Sequence, residues 1–421
     1  MAIEIRLERG GAERNQLTRH AVALTDALAG LDASPGGGFL RVAHERAILR
    51  EIQAYVRKRP ARVTDVVQLG IGGSSLGAQA LCAALLHPRH NERARKGELR
   101  FHFPENVDPE SFGALLEGLN PSSTLVHVVS KSGGTLETAA QLYALLEAFR
   151  SSGRRFSMQR NLVATTGAKG ALRDLVDAEE IPSLSFPEDV AGRYSVFTAS
   201  GLLVPALCGV PVGRVLKGAR AMEERCRDGA MGGPAGRLAA LHHYHDVERN
   251  RPIHVELIYS DALYLCGSWF RQIWAESLGK QGRGPTPVIA RGTTDQHSQI
   301  QLYTEGPDDK LYTLIRVTRP RRNVRIARGA KPEVLSGRSM AALFDAEAEG
   351  TAEALVAEGR PLIDIRLPRV TPDAVGELMM LQQLQTALAG ALYRVDPFTQ
   401  PGVEAGKLAA VRLLTGGSPA G

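Results

Sequence analysis

The sequence predicts an α/β protein built from two doubly wound parallel sheets, with helical extensions at both ends. Three observations carry that prediction. Short apolar runs rich in Val, Ile and Leu recur between helical patterns, as strands buried on both faces require. Two of those runs break into glycine-rich turns before a helix, at 70–77 and 130–135. A chain of 421 residues also exceeds what one core of about 150 residues holds, so the strand–helix units divide into two sets.

In chain order, the spacing of Leu17, Val22, Leu24 and Leu28 predicts a helix over 13–31, stopped by the SPGGG run at 34–38, and a second helix follows over 40–58. A strand at 65–71 leads through Gly72, Gly73, Ser74, Ser75 and Gly77 into a helix over 76–86. Strand 99–103, helix 109–119, strand 125–129 and a helix to about 150 come next, then strand 161–165, helix 168–178 and strand 183–186. From Ser195 to His245 the pattern is helical, with breaks expected at Pro205, Pro211 and Pro234. A second series then begins, with strands at 253–258, 288–290, 311–317 and 362–367 and helices at 263–278, 296–303, 341–357 and 372–393. The cleanest boundary falls near 190–210.

Composition narrows the function classes. Hydrophobic residues at 43% and charged residues at 23% describe an ordinary globular chain, and a net charge of +6 is too mild at this length to indicate nucleic acid. The densest basic run, Arg319, Arg321, Arg322 and Arg325, has no interleaved aromatics and reads as a solvated loop. Cys82, Cys208, Cys226 and Cys266 lie far apart in apolar surroundings, which points to free thiols in a reducing compartment. No signal-peptide core or membrane-length apolar run is present, so a cytoplasmic protein with no membrane partner is expected.

Of the motifs, SKSGGTLET at 130–138 stands where a strand meets a helix. Backbone N–H groups freed at Gly133 and Gly134, a helix N-terminus at Thr135 and the hydroxyls of Ser130, Ser132 and Thr135 suit an anion, although a capped turn accounts for the same residues. GIGGSSLGAQ at 70–79 is neither a dinucleotide fingerprint, since Ser75 stands where glycine is needed, nor a P-loop, since Ala78 stands where lysine is needed. It leaves a nest of N–H groups near Gly73 and Ser74 at the carboxyl end of a strand. Glu276, at the end of a helical pattern in WAESLGKQGRG, is a solvated helix-end charge or a base aimed into a cleft. His297 opens a helix as a surface group or an acid/base. Arg193 either pairs with Glu188 or Asp189 or faces developing negative charge. His242, His243 and His245 lack further ligands at metal spacing and read as a polar helix face. Gln400 and Lys407 sit about two turns apart on a segment entering an amphipathic helix, which packs on the body in the plainer reading.

Together these stretches resemble the glucose-6-phosphate isomerase family from about residue 65 to 411. Five blocks occur in family order: GIGGSSLG, SKSGGTLET, GRYS, ESLGKQG with GTTDQHSQIQL, and FTQPGVEAGK. The resemblance implies two sugar-isomerase (SIS) domains, at 59–205 with the phosphate cradle and at 206–378 with the catalytic Glu and His. It also implies N-terminal helices, 1–58, packed on the second domain and a C-terminal helical segment, 379–421, carrying Gln400 and Lys407. It further implies a homodimer, no metal or organic cofactor, and a sugar phosphate as substrate. By the same resemblance Glu276 is the base that moves a proton between carbons 2 and 1, and His297, reaching in from the neighbouring subunit, opens the ring with Lys407. Arg193 stabilises the enediolate, Gly73 and Gln400 position the sugar, and Ser130, Ser132 and Thr135 hold the phosphate. Ser74 and Lys131 in the same blocks join substrate binding, and Glu137 orients the histidine. Ala191 and Ser75 depart from the family pattern without removing a reactive side chain. A sugar-phosphate sensor without catalysis, and an isomerase acting on both glucose and mannose phosphates, remain alternatives.

Overall fold

The computed structural model describes residues 2–416; the N-terminal residue and residues 417–421, the two ends of the expected extensions, lie outside them. Ten strands form two five-stranded sheets. The first has the order β3-β2-β4-β5-β6, with β2 (Asp65–Leu69), β3 (Arg100–His102), β4 (Thr124–Ser130), β5 (Leu162–Thr166) and β6 (Ser183–Ser185) all parallel. Every residue of β2, β4 and β5 is buried, which is why these strands read as continuous apolar runs and not as alternating ones. The second sheet has the order β1-β10-β9-β7-β8, where β7 (Ile253–Tyr259), β8 (Thr286–Arg291), β9 (Lys310–Val317) and β10 (Leu362–Leu367) are parallel.

The fifth strand of that sheet, β1 (Glu4–Arg6), pairs antiparallel with β10 and so extends it with the chain's own N-terminus. Three residues are too short a pattern to read as a strand from sequence. The expected helix over 13–31 is two helices, Arg14–Thr18 and Ala21–Gly30, because His20 leaves helical dihedrals (φ −90°, ψ 3°). Pro205 lies inside the Ala199–Leu207 helix instead of ending it. The helix Pro372–Tyr393, buried along most of its length, packs against Val212–Arg227, Gly233–His243 and Tyr264–Leu278, and so forms the hub of the helical layer.

The histidine cluster is not a polar face. His242 and His245 are buried: His242 meets His254 edge-on and Trp274 at a tilt, and His245 is bonded to the Gly10 carbonyl and the Arg251 guanidinium. Burial pushes the imidazolium of His254 down to about 3, so these rings are neutral core groups. Between β2 and β3, Asp65 is a buried carboxylate. Burial alone would raise it, yet bonds from His102, Arg100 and Thr64 outweigh that and hold it down to about 2.

Each sheet changes direction at its middle. In the first, β2 connects to β3 on one side while β4 lies on the other; in the second, β7 connects to β8 on one side while β9 lies on the other. Ligand crevices in open α/β sheets form at the carboxyl ends of strands at such points.

Candidate active site

Two glycine-rich turns stand at the carboxyl edge of the first sheet. After β4, Gly133 has φ +70°, and a Cβ there would come 3.1 Å from the Gly170 carbonyl carbon, so the turn closes only with glycine. Thr135 is the N-cap residue of the Leu136–Ser151 helix but makes no capping bond; its hydroxyl lies 3.0 Å from that of the buried Ser130. First-turn N–H groups without a side-chain cap, beside hydroxyls turned toward one another, are the donors that an anion cradle needs. Ser132 is exposed beside it, and its Oγ accepts a bond from the Gly134 N–H at 3.3 Å. Lys131 faces away: its Nζ donates to the carbonyls of Glu188 and Val190 at 2.8 and 2.9 Å, which ties the cradle to the strand of chain leading to Arg193.

After β2, the turn at Gly72–Ser74 lies against the 3₁₀ turn Gly192–Phe197. A Cβ on Gly73 would sit 2.3 Å from the Gly192 carbonyl oxygen, so only glycine admits this approach. The Ser195 hydroxyl donates to the Gly73 carbonyl at 3.1 Å, and the Ser74 carbonyl accepts from Gln68. The two turns thereby place Arg193 over the edge of the first sheet.

Arg193 is 2% exposed, and every N–H group of its guanidinium meets an oxygen. Nε donates to Ser277 Oγ (2.7 Å), Nη1 to Gln400 Oε1 (2.5 Å) and Glu276 Oε2 (3.5 Å), and Nη2 to the carbonyls of Pro397 and Thr399 (2.6 and 2.9 Å). One buried cation therefore joins three distant parts of the chain. Glu276, half-buried, accepts a second bond from Gln272 Nε2 at 2.8 Å. Lys280 donates to the carbonyls of Ser277 and Asp396. Burial, then the nearby Arg193 charge, push its ammonium down to about 8 against the pull of Asp396 and Glu276.

Gln272, Ser277 and Lys280 were absent from the residues read as functional. Gln272 precedes Glu276 by one helical turn and so shares its face, which is a signal the sequence does carry. The contact of Lys280 with Asp396 joins residues far apart in the chain and has no sequence signature.

Three expected residues stand apart from this cluster. His297 is exposed, just past the 3₁₀ turn Thr294–Gln296, and the helix expected over 296–303 begins at Ile300. The turn is set by Asp295, whose carboxylate accepts from the Arg291 N–H at 2.6 Å and from Ser298 Oγ at 2.9 Å. Glu276 ends a helix that returns antiparallel to β7, at the amino edge of the second sheet, whereas His297 follows β8, at the carboxyl edge. A six-residue strand sets those two edges roughly 20 Å apart along the strand direction. Lys407 lies on the Glu404–Leu414 helix, which has no buried residue, and pairs with Glu404 at 3.2 Å. Glu137 occupies the first turn after the cradle.

A family model described as phosphoglucose isomerase matches residues 44–307. A glucose-6-phosphate isomerase of Rubrobacter xylanophilus is 41% identical over 405 residues, 94% of this chain and 93% of its own length. The crystal structure of a hypothetical protein from Thermus thermophilus matches with a TM-score of 0.89 at 36% identity, over 98% of this chain and 99% of that one. A glucose-6-phosphate isomerase structure from Chlamydia trachomatis matches with a TM-score of 0.81 over 95% of this chain and 84% of that one; at 22% identity it speaks to the fold alone. With a family model over residues 44–307 and 41% identity along nearly its whole length to a named isomerase, this chain belongs to the phosphoglucose isomerase family.

Proposed function

We propose that the protein interconverts glucose 6-phosphate and fructose 6-phosphate, an aldose–ketose isomerisation through an enediolate. The observation that carries this reading is the bridge from Arg193 to both Glu276 and Gln400, at the edge of the sheet that bears the cradle. The cradle of Ser130, Ser132 and Thr135 takes the phosphate and fixes where the reacting carbons fall. Gly73, Ser74 and Gln400 line the path between the two. Lys131, bonded elsewhere, acts as a brace between cradle and Arg193.

In the forward direction Glu276 takes the proton from carbon 2 of the open-chain aldose and electrons shift toward the carbonyl oxygen at carbon 1; the resulting enediolate is reprotonated at carbon 1 by the same carboxyl group while the hydroxyl proton on oxygen 2 passes to oxygen 1, which leaves the ketone at carbon 2. A carboxylate with one bond from Gln272 and a long one from Arg193 keeps a fixed direction while remaining free to accept the proton. Arg193 is already oriented by its five bonds, so its guanidinium stabilises negative charge as it develops without reorganising. Ring opening requires a second acid/base. His297, with Glu137 to orient it and Lys407 beside it, fills that role from a partner subunit, because the carboxyl edge of one sheet cannot turn back upon its own amino edge.

A sensor that only binds a sugar phosphate needs the cradle alone, and a buried cation organised around Glu276 adds nothing to it. The reading is tested by incubating the purified protein with fructose 6-phosphate and coupling the product to glucose 6-phosphate oxidation. Glu276→Gln should retain substrate binding while turnover and exchange of the carbon-bound proton with solvent fall by about 10³. Exchange at the wild-type rate in that variant would remove Glu276 from its role.

A further inference from the structure

A cleft of about 620 Å³ opens at the carboxyl edge of the second sheet, well away from Glu276. It lies at the β7/β9 switch point, the counterpart of the place where the first sheet carries its cradle, and its floor is formed by Tyr259, Ser260, Val317 and Thr318. Leu85, Leu86 and His87, at the end of a helix of the first sheet's layer, close one side. Phe344, Ala341 and Ala348 of the Met340–Ala357 helix close another. Volume, apolar walls, an interdomain position and a switch point are the features of small-molecule sites.

Both carboxylates that line the cleft face other arginines. Arg316, on the floor, is already neutralised by Asp364 and Glu349, each at 2.7 Å; Asp345 lies 4.0 Å from Arg316, and Asp261 at the rim lies 3.8 Å from Arg291. Arg321 and Arg322, from the basic run that reads as a solvated loop, stand at the mouth. Arg321 bonds only a neutral group, the Leu85 carbonyl at 3.3 Å, and no carboxylate among the described residues pairs with either. Besides partial burial, the charges of Arg93, Arg322, Arg89 and Arg321 all disfavour protonation of His87 beside them.

One wall of the cleft also holds the turn that bears His297. The Tyr259 hydroxyl donates to Gln296 Oε1 at 2.7 Å, Thr351 Oγ1 donates to the same oxygen at 3.0 Å, and Gln296 Nε2 bonds Glu347. Phe344 packs on the Tyr259 ring with centroids 5.6 Å apart. A ligand pressing on Phe344 and Tyr259 therefore acts on the residue directly before His297.

We propose that this cleft binds a small organic anion with an apolar body, its phosphate, sulfonate or carboxylate head between Arg321 and Arg322, and that occupancy shifts His297 through Gln296. The second half of the statement rests on the role assigned to His297; the first does not. The test uses 8-anilinonaphthalene-1-sulfonate as probe on the intact native protein, with 1-naphthyl phosphate as competitor. The expected result is saturable fluorescence at one site per chain, displaced by naphthyl phosphate and not by fructose 6-phosphate or inorganic phosphate alone. The double variant Arg321→Ser/Arg322→Ser, on the surface and so expected to fold, should bind about tenfold more weakly, and Ala341→Trp, which fills the cleft, should not bind. The imidazole NMR signal of His297, identified by its loss in His297→Asn, should move on saturation. Unsaturable binding, displacement by fructose 6-phosphate or equal affinity in the Arg321→Ser/Arg322→Ser variant would overturn the site. Saturable binding with an unmoved His297 signal would overturn its transmission.

Discussion

The two edges of the second sheet are built differently. At the amino edge, Glu276, Ser277 and Lys280 are bonded into a buried network with Arg193 and the 396–400 segment, and every donor of the arginine is engaged. At the carboxyl edge, His297 stands in solvent beside an open cleft. The contrast teaches that burial organises one edge and leaves the other open, and under the proposed function a second subunit completes the site. On that reading the proton-transfer half is preorganised by burial, where the low dielectric strengthens each bond, whereas the His297 ring stands in solvent on a turn that Asp295 and Gln296 fix.

The sharpest way to break this contrast is at its buried centre. Arg193→Lys keeps the charge but replaces a five-donor fork with a point charge, leaving Gln400 and the carbonyls of Pro397 and Thr399 without partners. Turnover should fall by about 10²–10³ and unfolding should cost about 2–4 kcal/mol less, measured by coupled assay and denaturant titration. Near-normal turnover would mean that the network is structural only. At the open edge, subunits carrying Glu276→Gln and subunits carrying His297→Asn, each inactive, should on mixing and reassociation recover roughly a quarter of wild-type activity, because one site in each mixed dimer is intact. Recovery of none would place both residues in one chain's site and contradict the separation across the sheet. The smallest effect concerns Lys280. Its folded pKa of about 8 lies below the ordinary lysine value, so its charge is present below pH 8 and lost as pH rises through it. kcat/KM should therefore show an alkaline limb near pH 8 that disappears in Lys280→Arg, which stays charged. Because the charged form is the one disfavoured by burial, stability should rise between pH 8 and about 10 in the wild type and not in that variant.

Much of this was legible in the sequence, for local reasons. The buried strands announce themselves as unbroken apolar runs, as in β4, and the turns after β2 and β4 as glycines whose φ or close contacts admit nothing else. β1 was not, because three residues carry no period and their strand character comes wholly from pairing with β10. The His242–His245 cluster was misread because polar residues on a helix suggest an outer face, whereas here the Pro372–Tyr393 helix and β7 bury the one side and the N-terminal segment the other.

By itself, then, the sequence determined the strand–helix order, the two glycine turns and the residue types gathered at 130–138, 193, 276, 297 and 400–407. All of these follow from interactions within a few residues of one another. Only the tertiary structure decided that Arg193 reaches Glu276 and Gln400 at once, that Lys280 holds Asp396, and that His297 lies a strand's length from Glu276. Those facts depend on how two sheets and a helical layer pack, and packing between segments hundreds of residues apart leaves no periodic trace in the chain.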